Sequence, residues 1–161
     1  MKTAAKELAL AKAHGPNSRR VLEYSYVMKG ILDGAKQPGF TNDQWAPLAD
    51  LVNIEKFERV GNFLETVHWD DHYVPLLTAW AKVTDWNFEI RRLTEGSDYA
   101  IQEMHEYAQY PDRYEAYNSV SVFEFDERGK IVHLDIYLQM QMPPMASQSH
   151  QWDLEKVGAQ I

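Results

Sequence analysis

FEFDERGKIVHLDIYLQMQ, residues 123–141, holds two strand-like runs on either side of an Asp-Glu-Arg-Gly turn. Its second half alternates strictly: His133, Asp135, Tyr137 and Gln139 share one parity, and Leu134, Ile136 and Leu138 the other. Successive side chains of a strand point to opposite faces, so one row meets a core and the other meets solvent or a partner. The polar row carries groups able to move protons. Spacing alone leaves two readings open: a catalytic row, or the outer face of a sheet.

Upstream of this hairpin, YAIQEMHEYAQ and YEAYNSVSVFEF alternate in the same way, and WNFEIRRL precedes them. Tight connections at 95–98 and 126–129 and a longer one over 110–113 join these runs. Earlier still, KFERVGNF and LETVHW read as short strands around Gly61-Asn62. A helix follows from Asp71 to about Lys82, capped by Asp70, with Tyr73, Leu76, Leu77 and Trp80 on one face. The N-terminal third is helical. A first helix covers Lys2 to His14, HGPNS interrupts it, and a longer helix capped by Asn17 or Ser18 runs to about Gly34. Val21, Tyr24, Val27, Met28, Ile31 and Leu32 form its apolar stripe; Tyr26 falls off it. TNDQWAPLADLV is a short helical segment that starts at Thr41 or Asn42. Helices, then a hairpin and a helix, then four meandering strands predict an α+β protein with a mostly antiparallel sheet. The division is an N-terminal helical arm over 1–17, a domain over 18–142, and a tail over 143–161.

The chain has 161 residues, a one-domain length. Its 24 acids outnumber 16 bases and no Lys/Arg cluster stands out, which argues against a nucleic-acid partner. The absence of cysteine excludes disulfides, thiolate catalysis and Cys-ligated metals. No apolar run reaches membrane-spanning length, and MKTAAKELALAKAH mixes charged and apolar residues, so a soluble, cytoplasmic protein without membrane association is expected. Neither nucleotide-binding glycine pattern occurs, so no organic cofactor is expected. In HWDDH, His68 and His72 stand four apart. Asp70 as a cap leaves His68 on the strand, so the two do not share a helical face and no metal is expected. Aromatics at 12% suit a cavity for a flat, apolar ligand, or simply a packed core.

The order of elements, with FERVGNF, HWDDHYVPLLTAWA, NFEIRRL and SVFEFDERGKIVHLDIYL, resembles the SnoaL-like branch of the nuclear transport factor 2-like superfamily over roughly 18–141. The resemblance implies a curved, mostly antiparallel sheet wrapped into a cone and closed by N-terminal helices. Its members include ketosteroid isomerases, scytalone dehydratase, epoxide hydrolases, polyketide cyclases, cofactor-free lyases that remove formaldehyde from lignin-derived diarylpropanes, and non-catalytic binding modules.

Carried onto this chain, the resemblance points Leu134, Ile136 and Leu138 into the cone and His133, Asp135, Tyr137 and Gln139 outward, towards a homodimer or higher homo-oligomer contact. It places Gln102, Met104 and Glu106 inward, with Glu106 where the epoxide hydrolases keep a catalytic aspartate and Met104 where they keep an arginine. His105 lies on the opposite face. Glu58 stands at the isomerases' proton-shuttling aspartate, with Arg59 alternating to the other face unless the strand is bulged; Arg59 is also a substrate-binding candidate. Tyr24 and Tyr26 both lie near the isomerases' oxyanion-stabilising tyrosine, and Ser121 replaces their second acid. Tyr117, Ser119 and Ser121 line the cone, and His68 sits near its mouth as a further acid/base candidate. Against these stand structural alternatives: Glu106 paired with Arg91 or Arg59, and Glu58–Arg59 as a solvated pair. The activity implied is cofactor-independent acid–base chemistry on a hydrophobic, aromatic small molecule. A lyase acting by elimination or retro-aldol cleavage leads, with cyclase, isomerase, epoxide hydrolase or binding module as alternatives.

Overall fold

A computed structural model describes residues 2–141, with side chains from Lys6 onward; the expected tail over 143–161 lies outside the described residues. Four helices and a six-stranded sheet follow in the order α1 (Lys2–Leu10), α2 (Pro16–Gly34), α3 (Ala46–Ala49), β1 (Glu58–Val60), β2 (Thr66–His68), α4 (Val74–Val83), β3 (Asp85–Glu95), β4 (Tyr99–Gln109), β5 (Tyr114–Phe125) and β6 (Ile131–Gln139). A 3₁₀ turn, Asn42–Trp45, leads into α3. Of the two starts the sequence offers, Thr41 is the cap. The strand order is β2-β1-β6-β5-β4-β3, and every pairing is antiparallel except β1 with β6. The architecture is therefore α+β, with a curved, unclosed sheet. One-residue register slips between Ile90 and Arg92 and between Glu124 and Phe125 bend the strands.

Backbone bonds from Asp126 N to Lys130 O and from Gly129 N to Asp126 O close the turn in the opening segment, and the Asp126 side chain reinforces it. Asp126 Oδ1 accepts from Arg128 N at 3.0 Å and Lys130 N at 2.9 Å, and Gly129 takes φ +71°, a conformation that favours glycine. Asn53 Nδ2 donates to Asp126 Oδ2 at 3.0 Å. That bond leads the influences holding the Asp126 carboxyl below its ordinary pKa.

α2 lies on the concave face, burying Val21, Leu22, Tyr24, Ser25, Met28 and Leu32. Its start departs from the sequence reading. Gly15, not Asn17 or Ser18, is the N-cap, and Pro16 opens the helix. Ser18 turns back instead, its Oγ accepting from His14 N at 2.9 Å. Asn17 Nδ2 reaches the β3–β4 turn at Gly96 O, 3.1 Å away. The cap comes from β3: Ser18 N donates to Glu95 Oε2 at 2.6 Å. A Cβ on Gly15 would stand 2.1 Å from Glu95 Oε1, and its extended φ of −168° imposes no strain of its own. Gly15→Ala should therefore act by displacing the cap. Gly15→Ala and Glu95→Ala should each cost about 1 kcal/mol in urea unfolding, and the double variant little more, since both remove the same contact.

α1 ends at Leu10 rather than His14. Lys12 instead sends its ammonium to the carbonyls of Ile90 and Arg91 at the β3 register slip. Before α4 the chain makes a wide helical turn, Trp69–Tyr73, so the helical stretch begins at Trp69 and Asp70 is not its cap. Burying the Trp69 and Tyr73 rings against Phe57 outweighs the capping preference of an aspartate.

Candidate active site

Between α2, α4 and the concave sheet face lies a cavity of about 550 Å³. Met28 of α2, Leu77 of α4, Phe123 of β5 and Leu134, Ile136 and Leu138 of β6 form much of its wall. The polar row of β6 faces away. There His133 bridges two carboxylates, Nδ1 to Glu58 Oε1 at 3.3 Å and Nε2 to Asp135 Oδ1 at 3.0 Å.

Glu106 marks one pole. β4 alternates in burial along its length, which places Gln102, Met104 and Glu106 on the cavity wall. Glu106 Oε2 accepts from Trp86 Nε1 at 2.6 Å and from the Tyr117 hydroxyl at 3.4 Å. Burial pushes its carboxyl pKa up, while Ser119, Trp86 and Tyr117 partly offset this by favouring the charged form. Ser119 Oγ lies close enough to influence the carboxyl, yet lacks the geometry of a hydrogen bond. No cation stands among these influences, so Glu106 is not the ion-pair partner of Arg91 or Arg59; Arg91 faces Asn118 and Arg59 faces Glu65. The Tyr117 phenol is pushed well up, by burial first and then by the Glu106 charge, and remains a donor.

Tyr24 and Tyr73 mark the other pole. Their hydroxyls are 2.5 Å apart, both rings are buried, and both reach the cavity. Burial raises both phenol pKa values, and the Arg59 guanidinium lowers both in part. Two O–H groups share one mutual hydrogen bond, which leaves one proton of the pair for a ligand oxygen. Between the poles, Gln102 Nε2 donates to Ser25 Oγ at 3.0 Å, and Ser25 donates to Val21 O at 3.1 Å, so the wall there is a satisfied polar contact.

Other candidates lie elsewhere. Glu58 faces away from the cavity and Arg59 faces into it, the reverse of the facing carried over from the isomerases for a straight strand. Arg59 is among the substrate-binding candidates, and Glu58, a catalytic candidate, does not reach the cavity. β1 pairs in parallel with β6 so that Arg59 stands beside Leu134 and Glu58 beside His133, and each shares its neighbour's face. Tyr26 sits outside the cavity, its ring 5.3 Å from that of Phe88. His105 is on the far side of β4, with Nδ1 2.8 Å from Asn118 Oδ1. His68 bonds to Phe57 O at 3.2 Å and does not reach the cavity. Among the described residues no group of three or more ligating side chains gathers for a metal, and no helix is long and apolar enough to cross a membrane. Among the hydrogen-bonding groups, sequence reasoning missed Trp86, the partner of Glu106, and Tyr73, the partner of Tyr24. Tyr73 was visible on the α4 face. Trp86 meets Glu106 only through the β3–β4 register, in which Phe88 stands opposite Glu106.

No protein-family profile and no curated protein matches the sequence. Solved structures do match its shape. An LEH-like epoxide hydrolase from M. tuberculosis superposes with a TM-score of 0.53 at 13% identity, over 73% of this chain and 83% of that one. A nuclear transport factor 2-like protein of unknown function from Cytophaga hutchinsonii gives 0.55 at 11% identity, over 80% and 94%. A provisionally named isomerase from Rhodopseudomonas palustris gives 0.59 at 11%, over 75% and 90%. The chain has the nuclear transport factor 2-like fold. At these identities the likeness is one of fold, and function rests on the cavity.

Proposed function

We propose that the protein is a cofactor-independent acid–base enzyme acting on a hydrophobic, aromatic small molecule, with lyase chemistry as its reaction. One observation carries the reading: a desolvated carboxyl with no cation beside it faces an apolar cavity that also holds a buried phenol pair with a proton to donate. A raised carboxyl pKa brings proton exchange closer to neutral pH. Ionised Glu106 takes a proton from a substrate hydroxyl or carbon. In retro-aldol cleavage the electron pair left behind closes a C=O double bond as the adjacent C–C bond breaks and its electrons pass to the substrate carbonyl. In elimination it closes a C=C double bond as a C–O bond breaks and its electrons leave with the leaving group. Charge that develops on a substrate carbonyl oxygen meets the O–H of the Tyr24–Tyr73 pair. The carboxyl then returns its proton to the product, which leaves the enzyme unchanged. Trp86 and Tyr117 hold the carboxyl in place through these steps. The known epoxide hydrolase among the structural neighbours is consistent with chemistry in a cavity of this fold.

The test is turnover by dialysed, chelator-treated protein on a panel of aromatic β-hydroxy carbonyl compounds, followed by chromatography for aldehyde release or loss of water. Turnover of at least one compound is expected. Binding without turnover across the panel would reduce the protein to a binding module.

A further inference from the structure

Among the described residues, the cavity wall carries two side chains able to hold charge near neutral pH, Glu106 and Arg59. They differ in kind. A guanidinium stays charged at any physiological pH, whereas the Glu106 carboxyl, its pKa raised by burial, can exchange its proton. Arg59 therefore brings a permanent positive charge to the pole it shares with Tyr24 and Tyr73.

Arg59 is mostly buried, its side chain 14% exposed, yet its one ion pair among the described residues is with Glu65, whose side chain is 44% exposed. Glu65 Oε1 accepts from Arg59 Nη1 at 3.1 Å, a single bond to a group with five N–H donors. The β1–β2 turn is shaped around that contact. Phe63 N donates to Glu65 Oε2 at 2.9 Å, Leu64 takes φ +62°, and a Cβ on Gly61 would lie 1.6 Å from Glu65 Oε1. An exposed, solvent-screened carboxylate satisfies a guanidinium weakly. A ligand carboxylate inside the apolar cavity would meet the same group without that screening, in the planar two-bond geometry the guanidinium favours. The free proton of the phenol pair stands at the same pole.

Resting on the proposed function, we propose that the substrate is an aryl carboxylate: an aromatic molecule whose carboxylate binds Arg59 beside Tyr24 and Tyr73 while its body fills the cavity towards Glu106. Neutral aromatics of the same shape fit the walls but leave the guanidinium unmatched.

The experiment is isothermal titration calorimetry with a matched pair of probes, 2-naphthoate and 2-naphthamide. Wild-type protein should bind the carboxylate about tenfold or more tighter than the amide, the scale of a charge-assisted contact. Arg59→Met should erase the preference by weakening the carboxylate alone, and Glu106→Gln should keep it. Equal affinities in the wild type, a preference that survives Arg59→Met, or binding of neither probe would each overturn the proposal. Should Arg59→Met fail to fold, the wild-type ratio still decides. The two readings also fail separately. A carboxylate preference in a protein that turns over nothing would leave the anion site standing without catalysis. Turnover of neutral compounds with no preference would do the reverse.

Discussion

Glu106→Gln should lower turnover by about 10²- to 10⁴-fold, the usual loss when one positioned acid–base group is removed. The amide keeps the shape of the carboxyl and an oxygen to accept from Trp86 Nε1, but it has no proton to take or return. KM should move little, because the proton is transferred mainly in the transition state. Stability should shift in the opposite direction to activity. Burial raises the folded-state pKa of Glu106 above 4.5, so the folded protein binds this proton more tightly than the unfolded chain. The stability from that proton is fully present below the unfolded pKa and is lost as pH rises through the folded one. Gln does not titrate, so the variant should match the wild type in acid and exceed it towards neutral pH in urea midpoints. Near-wild-type turnover would remove Glu106 from the mechanism. Loss of folding, or lower stability at neutral pH, would assign its carboxyl a structural partnership instead.

What the sequence made legible follows from the length of each element. β4, β5 and β6 are nine to twelve residues long, with one face buried. Period-two alternation therefore separates Leu134 from His133, and Glu106 from His105, without knowledge of the partners. α2 is long enough for its stripe to separate Tyr24 from Tyr26. β1 has three residues, all half-buried, too few to show a period. Whether Glu58 or Arg59 faces inward is set by its parallel pairing with β6, some seventy positions along the chain, and local pattern carries no trace of that register. The Trp86–Glu106 contact joins separate strands in the same way, and the Tyr24–Tyr73 contact joins two helical segments. Periodicity thus separated the two faces of each long strand, the family resemblance indicated which face is inward and what fold to expect, and the contacts that make chemistry came from non-local pairing.

Tyr24→Phe and Tyr73→Phe should have unequal effects on rate, and their combination should not multiply. The phenol whose O–H points at the ligand should lose about 10²- to 10³-fold in kcat, as for removal of one oxyanion donor. Its partner acts by accepting or orienting that donor and should lose less. Both line the cavity and both are held as neutral phenols by burial, so either can be the donor, and kinetics of the single variants assigns the role. Because the two hydroxyls form one hydrogen-bonded unit, the double variant should resemble the worse single rather than the product of both. Stability provides an independent reading of the same contact. Each single variant leaves one buried hydroxyl without its partner at 2.5 Å, a cost of about 1–3 kcal/mol. The double variant removes both hydroxyls and should recover much of that loss, since Phe packs against Phe57, Trp69 and Phe123 as the tyrosine rings do. Singles within a few-fold of wild-type kcat would exclude the pair from oxyanion stabilisation. Additive losses of stability in the double would show that the two hydroxyls do not depend on each other, and the donor proton assigned to the pair would have to come from elsewhere in the cavity wall.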